Sequence, residues 1–195
     1  MDRLDEYYKN ALLSGLCSEY KNEWRSLRGD REGLMKLALR QQSIPHLLSY
    51  AYNGNGLTKE YIESNFKNYI NGFIFNDCDA VNGFTYQLWV NATKSHEIHV
   101  KSDVNVFMWC KDVDLIVKET KCPTLYVGCK SKVNITLCGY NSIRVYLFDE
   151  SEVMFASTDE TCDAIVYNYG KNSNVIRGKY SLSDSIKVFD KELKL

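Results

Sequence analysis

The chain reads as an α+β protein, a small amino-terminal helical bundle followed by a short parallel β-solenoid. Three observations predict this. Apolar residues recur in steps of three and four from Leu4 to Ile70, the spacing of amphipathic helices. From Val104 onward the period falls to two, and one short pattern returns about every ten residues. The links between those repeats contain no Asn-Gly or Asp-Gly dipeptide, the preferred turn of a tight hairpin.

Residues 3–27 place Leu4, Tyr7, Tyr8, Ala11, Leu12, Leu16, Tyr20, Trp24 and Leu27 on one helical face, with a possible break at Gly15. Arg28-Gly29 ends that pattern, and Asp30 suits the N-cap of a second helix carrying Leu34, Leu37 and Ala38. Ser43-Ile44-Pro45 is a stop and restart, since proline fits the first helical turn. The third helix carries Leu47, Leu48 and Ala51. Thr58 caps a fourth, with Tyr61, Ile62, Phe66, Tyr69 and Ile70 inward and Asn71-Gly72 closing it. The predicted core is Trp24, Leu34, Leu37, Leu47, Tyr61 and Phe66. The turn at Arg28–Asp30 permits a helix-turn-helix reading, but the second helix lacks the exposed base-reading and phosphate-binding groups of a recognition helix. A packing or docking domain fits better.

The expected organisation is a helical bundle over 1–75, a connector with a capping strand over 76–95, and a β-strand array over 96–195. Phe84, Tyr86, Leu88 and Val90 alternate with Thr85, Gln87 and Trp89 in the connector, as a strand closing the mouth of the array would. In the array, a polar-polar-aliphatic-spacer-aliphatic pattern appears at Ser102–Val106, Lys111–Leu115, Ser131–Ile135, Asn141–Val145 and Glu150–Phe155. Weaker copies begin near Leu125, Ile165, Val175 and Ile186. Strands that start with similar local sequences suit translation along a solenoid, with two or three strands per turn. An antiparallel β-sandwich remains the alternative. The polar tail from Asp184 to Leu195 is a candidate cap for the far end.

This repeat resembles the compact β-solenoid modules of phage tail and surface proteins and of prophage and mobile-element proteins, over residues 96–190. The resemblance implies an architecture and carries no catalytic residue across.

With two strands per turn, the outward aromatics Phe107, Tyr126, Tyr146 and Tyr167 form a ladder spaced by 19, 20 and 21 residues. Trp109, Phe148 and Tyr169 lie two positions further along and face the same way. Phe107, Trp109, Tyr126, Tyr146, Phe148 and Tyr167 are therefore the candidate partner-binding residues, on the ground that large apolar faces are rarely left exposed. Cover by the helical bundle, or plain cross-strand stacking, explains the same pattern. The other sheet shows Asp112, Asp114, Lys132, Asn134 and Glu152, an ordinary solvated face without a convergent acid and base.

Composition excludes more than it identifies. Twenty-four basic against 25 acidic residues leave a net charge of -1, with no basic face for nucleic acid. The acidic start Met1–Glu6 lacks a secretion signal, and no apolar run approaches the ~20 residues of a membrane helix. The expectation is a soluble cytoplasmic protein, or a virion component if phage-encoded, with no nucleic-acid or membrane partner. Seven cysteines, an odd count, fit no disulfide framework. Asn91-Ala92-Thr93 and Asn134-Ile135-Thr136 match the glycosylation pattern only by chance on that view. His96-Glu97-Ile98-His99 has the wrong spacing for a zinc protease. Cys110, Cys122, Cys129 and Cys138 match no zinc-finger spacing; in this register Cys110 and Cys129 face inward.

No catalytic residue, metal or cofactor is expected. The function expected is a non-catalytic binding or structural module meeting a protein partner, a second copy or a saccharide. A carbohydrate-active β-helix enzyme is the alternative, and a regulator acting through its helices the third.

Overall fold

In a computed structural model of the chain, the described residues are 3–13, 15, 17–66, 73–75, 86–93, 98–99, 103–118, 122–139, 142–158, 161–180 and 183–193. Five helices come first: α1 (Arg3–Leu13), α2 (Ser18–Ser26), α3 (Arg31–Ala38), α4 (Ile44–Tyr52) and α5 (Lys59–Phe66). The apolar stripe of residues 3–27 is shared by α1 and α2. Gly15, at a φ of +87°, breaks it with a left-handed conformation that a β-carbon would disfavour. The side chain of Asp30 accepts a hydrogen bond from Gly33 N–H at 2.9 Å and caps α3, and the Thr58 hydroxyl accepts one from Tyr61 N–H at 3.3 Å at the start of α5. Trp24, Leu34, Leu37, Leu47 and Phe66 are buried, with Tyr61 partly buried against them. Tyr69, Ile70, Asn71 and Gly72, expected to finish α5, lie outside the described residues. No helix among the described residues is long and apolar enough to cross a membrane.

The strands form two parallel sheets. The first contains, in spatial order, β1 (Phe73–Phe75), β2 (Tyr86–Val90), β4 (Val104–Met108), β6 (Thr124–Gly128), β8 (Ser142–Leu147), β10 (Asp163–Asn168) and β12 (Ile186–Asp190). The second contains β11 (Asn174–Tyr180), β9 (Glu152–Thr158), β7 (Lys132–Cys138), β5 (Val113–Lys118) and β3 (Ile98–His99). Every strand pair is parallel, so the chain is a β-solenoid and the sandwich is excluded. From β2 to β12 successive strands alternate between the sheets, which gives two strands per turn. β2 is hydrogen-bonded on both sides, and β1 takes the edge position. Phe84 and Thr85 lie outside the described residues, as do His96 and Glu97.

The solenoid interior holds Trp89, Phe107, Leu125, Val127, Ile143, Val145, Leu147 and Val166 from the first sheet. Val113, Leu115, Val133, Ile135, Val153 and Phe155 meet them from the second. The register corrects the sequence expectation at two strands. Val104 and Val106 point out of the solenoid, while Asn105 and Phe107 point in, and in β10 Ala164 and Val166 point in rather than Ile165. In β4 the cause is burial on both faces: all five residues are buried, so aliphatic identity no longer marks the inner side. Asn105, polar and fully buried, is satisfied there by Trp89 Nε1–H at 3.2 Å.

A second apolar layer explains that outer burial. Leu88, Val90, Val104, Val106, Met108, Tyr126, Cys129 and Phe148 from the outer face of the first sheet share one core with the helices. Cys129 therefore packs beneath α4, its thiol 3.6 Å from the Leu48 carbonyl, and not inside the solenoid as expected; Cys110 does lie inside. Exposed polar groups pin α4 at its end, where Tyr52 donates to Glu150 at 2.8 Å and Lys130 pairs with Glu150 at 2.9 Å.

One corner of the solenoid is built alike in successive turns. Asn91, Trp109, Cys129 and Asp149 occupy it at φ of +54°, +56°, +55° and +58°, an uncommon region for residues with a β-carbon. Bonds between turns offset that strain. Cys110 N–H donates to Ser131 Oγ at 3.1 Å, Ser131 N–H donates to Ser151 Oγ at 3.1 Å, and Cys129 N–H donates to the Asp149 carboxylate at 3.1 Å.

The closest approach of helix to sheet is at Gly128, where a β-carbon would come 3.0 Å from a Leu48 methyl carbon. Gly128→Val is expected to cost about 1–3 kcal/mol by overpacking. It should lower the urea midpoint and leave the m-value unchanged. An unchanged midpoint would mean that α4 does not rest on the sheet.

Candidate interaction surface

The outer face of the first sheet carries two columns of large side chains. One runs Leu88, Val106, Tyr126, Tyr146, Tyr167, Phe189, each the direct neighbour of the next across a parallel pair. A second passes through Val90, Met108 and Gly128 to Phe148 and Tyr169. Strand spacing of about 4.8 Å is also the spacing of stacked rings, so the aromatic members stack. Tyr126 and Tyr146 have ring centroids 4.8 Å apart with planes 8° apart, and Phe148 and Tyr169 lie 5.3 Å apart, also at 8°. Tyr146–Tyr167 at 5.2 Å and Tyr167–Phe189 at 5.9 Å continue the first column to the last strand.

Of the six candidate residues, the structure brings Tyr126, Tyr146, Phe148 and Tyr167 together. Phe107 is a correction. Val106, not Phe107, is the neighbour of Tyr126; Phe107 points into the solenoid and stacks on Trp89 at 6.0 Å. The step from Val106 to Tyr126 is one strand repeat, and choosing the aromatic over the aliphatic shifts the register by one and reverses the face. Trp109 leaves the sheet at the left-handed corner and packs, half-buried, against the helical core, apart from the ladder. Phe189 and Tyr169 complete the ladder. One more turn counted from Tyr167 reaches Phe189, so the same spacing that found the other rings also locates this one.

Exposure divides the ladder. Tyr126 is 3% exposed and Phe148 is buried, both beneath the helices. Tyr146, Tyr167 and Tyr169 are half-buried, and Phe189 is 44% exposed. Where the helices stop, Gln41, Gln42 and Pro45 face Tyr146, Phe148 and Tyr169 across a cleft of about 500 Å³, with Leu193 folded back on its far side. Burial, then the neighbouring Tyr146 and Tyr167 phenols, raise the pKa of Tyr169. Its hydroxyl remains a neutral donor at physiological pH.

Within the tail, Ile186–Asp190 form β12, another strand of the same sheet and the last among the described residues. Val188 lies beside the buried Val166 at an inward position yet is 37% exposed.

The remaining chemistry does not converge. Cys110 is sealed in the solenoid with its thiol pKa pushed up to about 12 by burial, Cys122 is exposed and Cys138 half-buried. Among the described residues no three His, Cys, Asp or Glu side chains form a metal-sized group. On the second sheet Asn134 Nδ2–H donates to Asp114 at 2.9 Å and Lys132 lies 3.8 Å from Glu152, which leaves neighbouring acids satisfied across turns. Comparison with protein-family models, curated proteins and solved structures finds no match to this chain.

Stability should follow the exposure gradient. Tyr126→Ala is expected to cost about 3–5 kcal/mol, the loss of a buried aromatic, and Phe189→Ala less than about 1 kcal/mol, as at a surface position. Equal costs in urea unfolding would mean that the helices do not cover the ladder.

Proposed function

We propose that the protein is a non-catalytic interaction module whose working surface is the exposed, carboxy-terminal end of the aromatic ladder. One observation carries the reading: the rings stack on each other and lead to Phe189, the last ring of the stack among the described residues, on a strand paired there on one side only. A saccharide binds aromatic residues through their faces; Tyr146 and Tyr167 have a ring on each face, and one face of Phe189 is open. Ring edges, hydroxyls and that single face make a surface better suited to a protein. The satisfied acids of the second sheet give no support to polysaccharide cleavage. A place in phage or mobile-element assemblies follows from the architectural resemblance alone.

Light scattering coupled to size exclusion, over a concentration series, tests this on the wild type and on Tyr167→Ser, Phe189→Ser. A panel of oligosaccharides followed by intrinsic fluorescence runs beside it. The expected result is a surface whose association, with itself or with a protein partner, is lost in the double variant while the fold is kept. Saturable saccharide binding by the wild type, absent in the variant, would replace this reading with a saccharide-binding one.

A further inference from the structure

Five large apolar residues are exposed among the described ones, and four of them belong to the last turn: Ile176 (39%), Tyr180 (69%), Val188 (37%) and Phe189 (44%). Among the described residues that turn is the last in both sheets, where β11 and β12 are each paired on one side only. An edge strand offers a row of backbone donors and acceptors to any extended chain. In the last turn Phe189 stacks on Tyr167 by one face, while Ile176, Tyr180 and Val188 are exposed.

The charge on the same turn indicates what fits there. β11 and β12 carry Arg177, Lys179 and Lys187 against one acid, Asp190. Asp190 already accepts a hydrogen bond from Asn168 Nδ2 at 2.9 Å. Arg177 is the informative residue. It stands opposite Phe155, a core side chain, and so occupies an inward position. Its guanidinium crosses the open end from one sheet to the other and donates to the Ile186 carbonyl at 3.3 Å. A cation turned inward at the end of an array deters identical ends from meeting, because two copies would bring their Arg177 side chains together in a drying interface. The same cation attracts a carboxylate.

We infer that the last turn receives an extended segment of another protein, added as a strand on β12, with apolar side chains against Val188 and Phe189 and acidic ones against Arg177 and Lys187. This rests on the interaction-module reading and names its partner chemistry. Backbone pairing along β12 supplies affinity, Phe189 gains an apolar neighbour on its second face, and the arginine selects charge and orientation.

A blocked peptide of valine and glutamate, and its counterpart with lysine for glutamate, are titrated into the full-length protein with amide chemical shifts as the readout. The glutamate peptide is expected to shift residues 186–190 saturably. Its dissociation constant should rise by about fivefold or more in Lys187→Glu and in Arg177→Gln, the size of an exposed ion pair or larger, and the lysine peptide should not bind. Equal response to both peptides, shifts centred elsewhere, or no response from the folded protein would overturn strand addition and leave the broader interaction reading standing. A wild-type dimer that dissociates in Phe189→Ser would overturn it in favour of a second copy. Saccharide binding lost in the Tyr167→Ser, Phe189→Ser protein would overturn both readings.

Discussion

The strands β2, β4 and β6 are buried on both faces, and covering the second face governs how the molecule is put together. A β-solenoid buries the inner face of each strand by construction. Leu88, Val106, Met108 and Tyr126 remain on the outer face, where they would form an apolar patch too large to leave in water. The helices answer that constraint. Leu47 and Leu48 of α4, with Ile62 and Phe66 of α5, join the sheet's outer residues in one continuous core. Gly128 is the place where the need for contact is greatest, since the absence of a side chain lets Leu48 approach the sheet.

Cover extends only part of the way along the sheet, and the ladder changes character where it ends. Beneath the helices Tyr126 and Phe148 are core residues. Beyond them Tyr146, Tyr167 and Tyr169 cover one another by stacking and turn only edges to solvent. At the last strand even that ends, and Phe189, Val188 and Arg177 are left at an open turn. A single column of residues thus runs from structural to available, which is why the surface of interest lies at the end of the molecule and not across its face.

Much of this was legible in the sequence. The helix pattern, the caps at Asp30 and Thr58, the break at Gly15, the two-residue period and the ladder from Tyr126 to Tyr167 all follow from spacing, because local geometry repeats and the sequence repeats with it. The failures have separate physical causes. Where a strand is buried on both sides, hydrophobicity carries no information about direction, so Val104-Asn105-Val106-Phe107 was assigned the wrong face. The inward asparagine accepts a hydrogen bond from Trp89. Cys129 was misplaced because a second apolar layer lies above the first. The inward position of Arg177 was not legible, since it depends on a register that places a cation opposite Phe155. Trp109 was assigned to the ladder because the left-handed corner that removes it has no glycine to announce it.

Hydrogen exchange along the first sheet tests the central claim most directly, namely that the helices cover one end of the aromatic face and leave the other open. In dilute protein the account predicts slowest exchange in β4 and β6, intermediate rates in β8 and β10, and fastest exchange in β12, where one edge is free. Exchange in β12 as slow as in β6 would contradict it. The last turn would then already be covered, and neither an open end nor a docking surface would exist there.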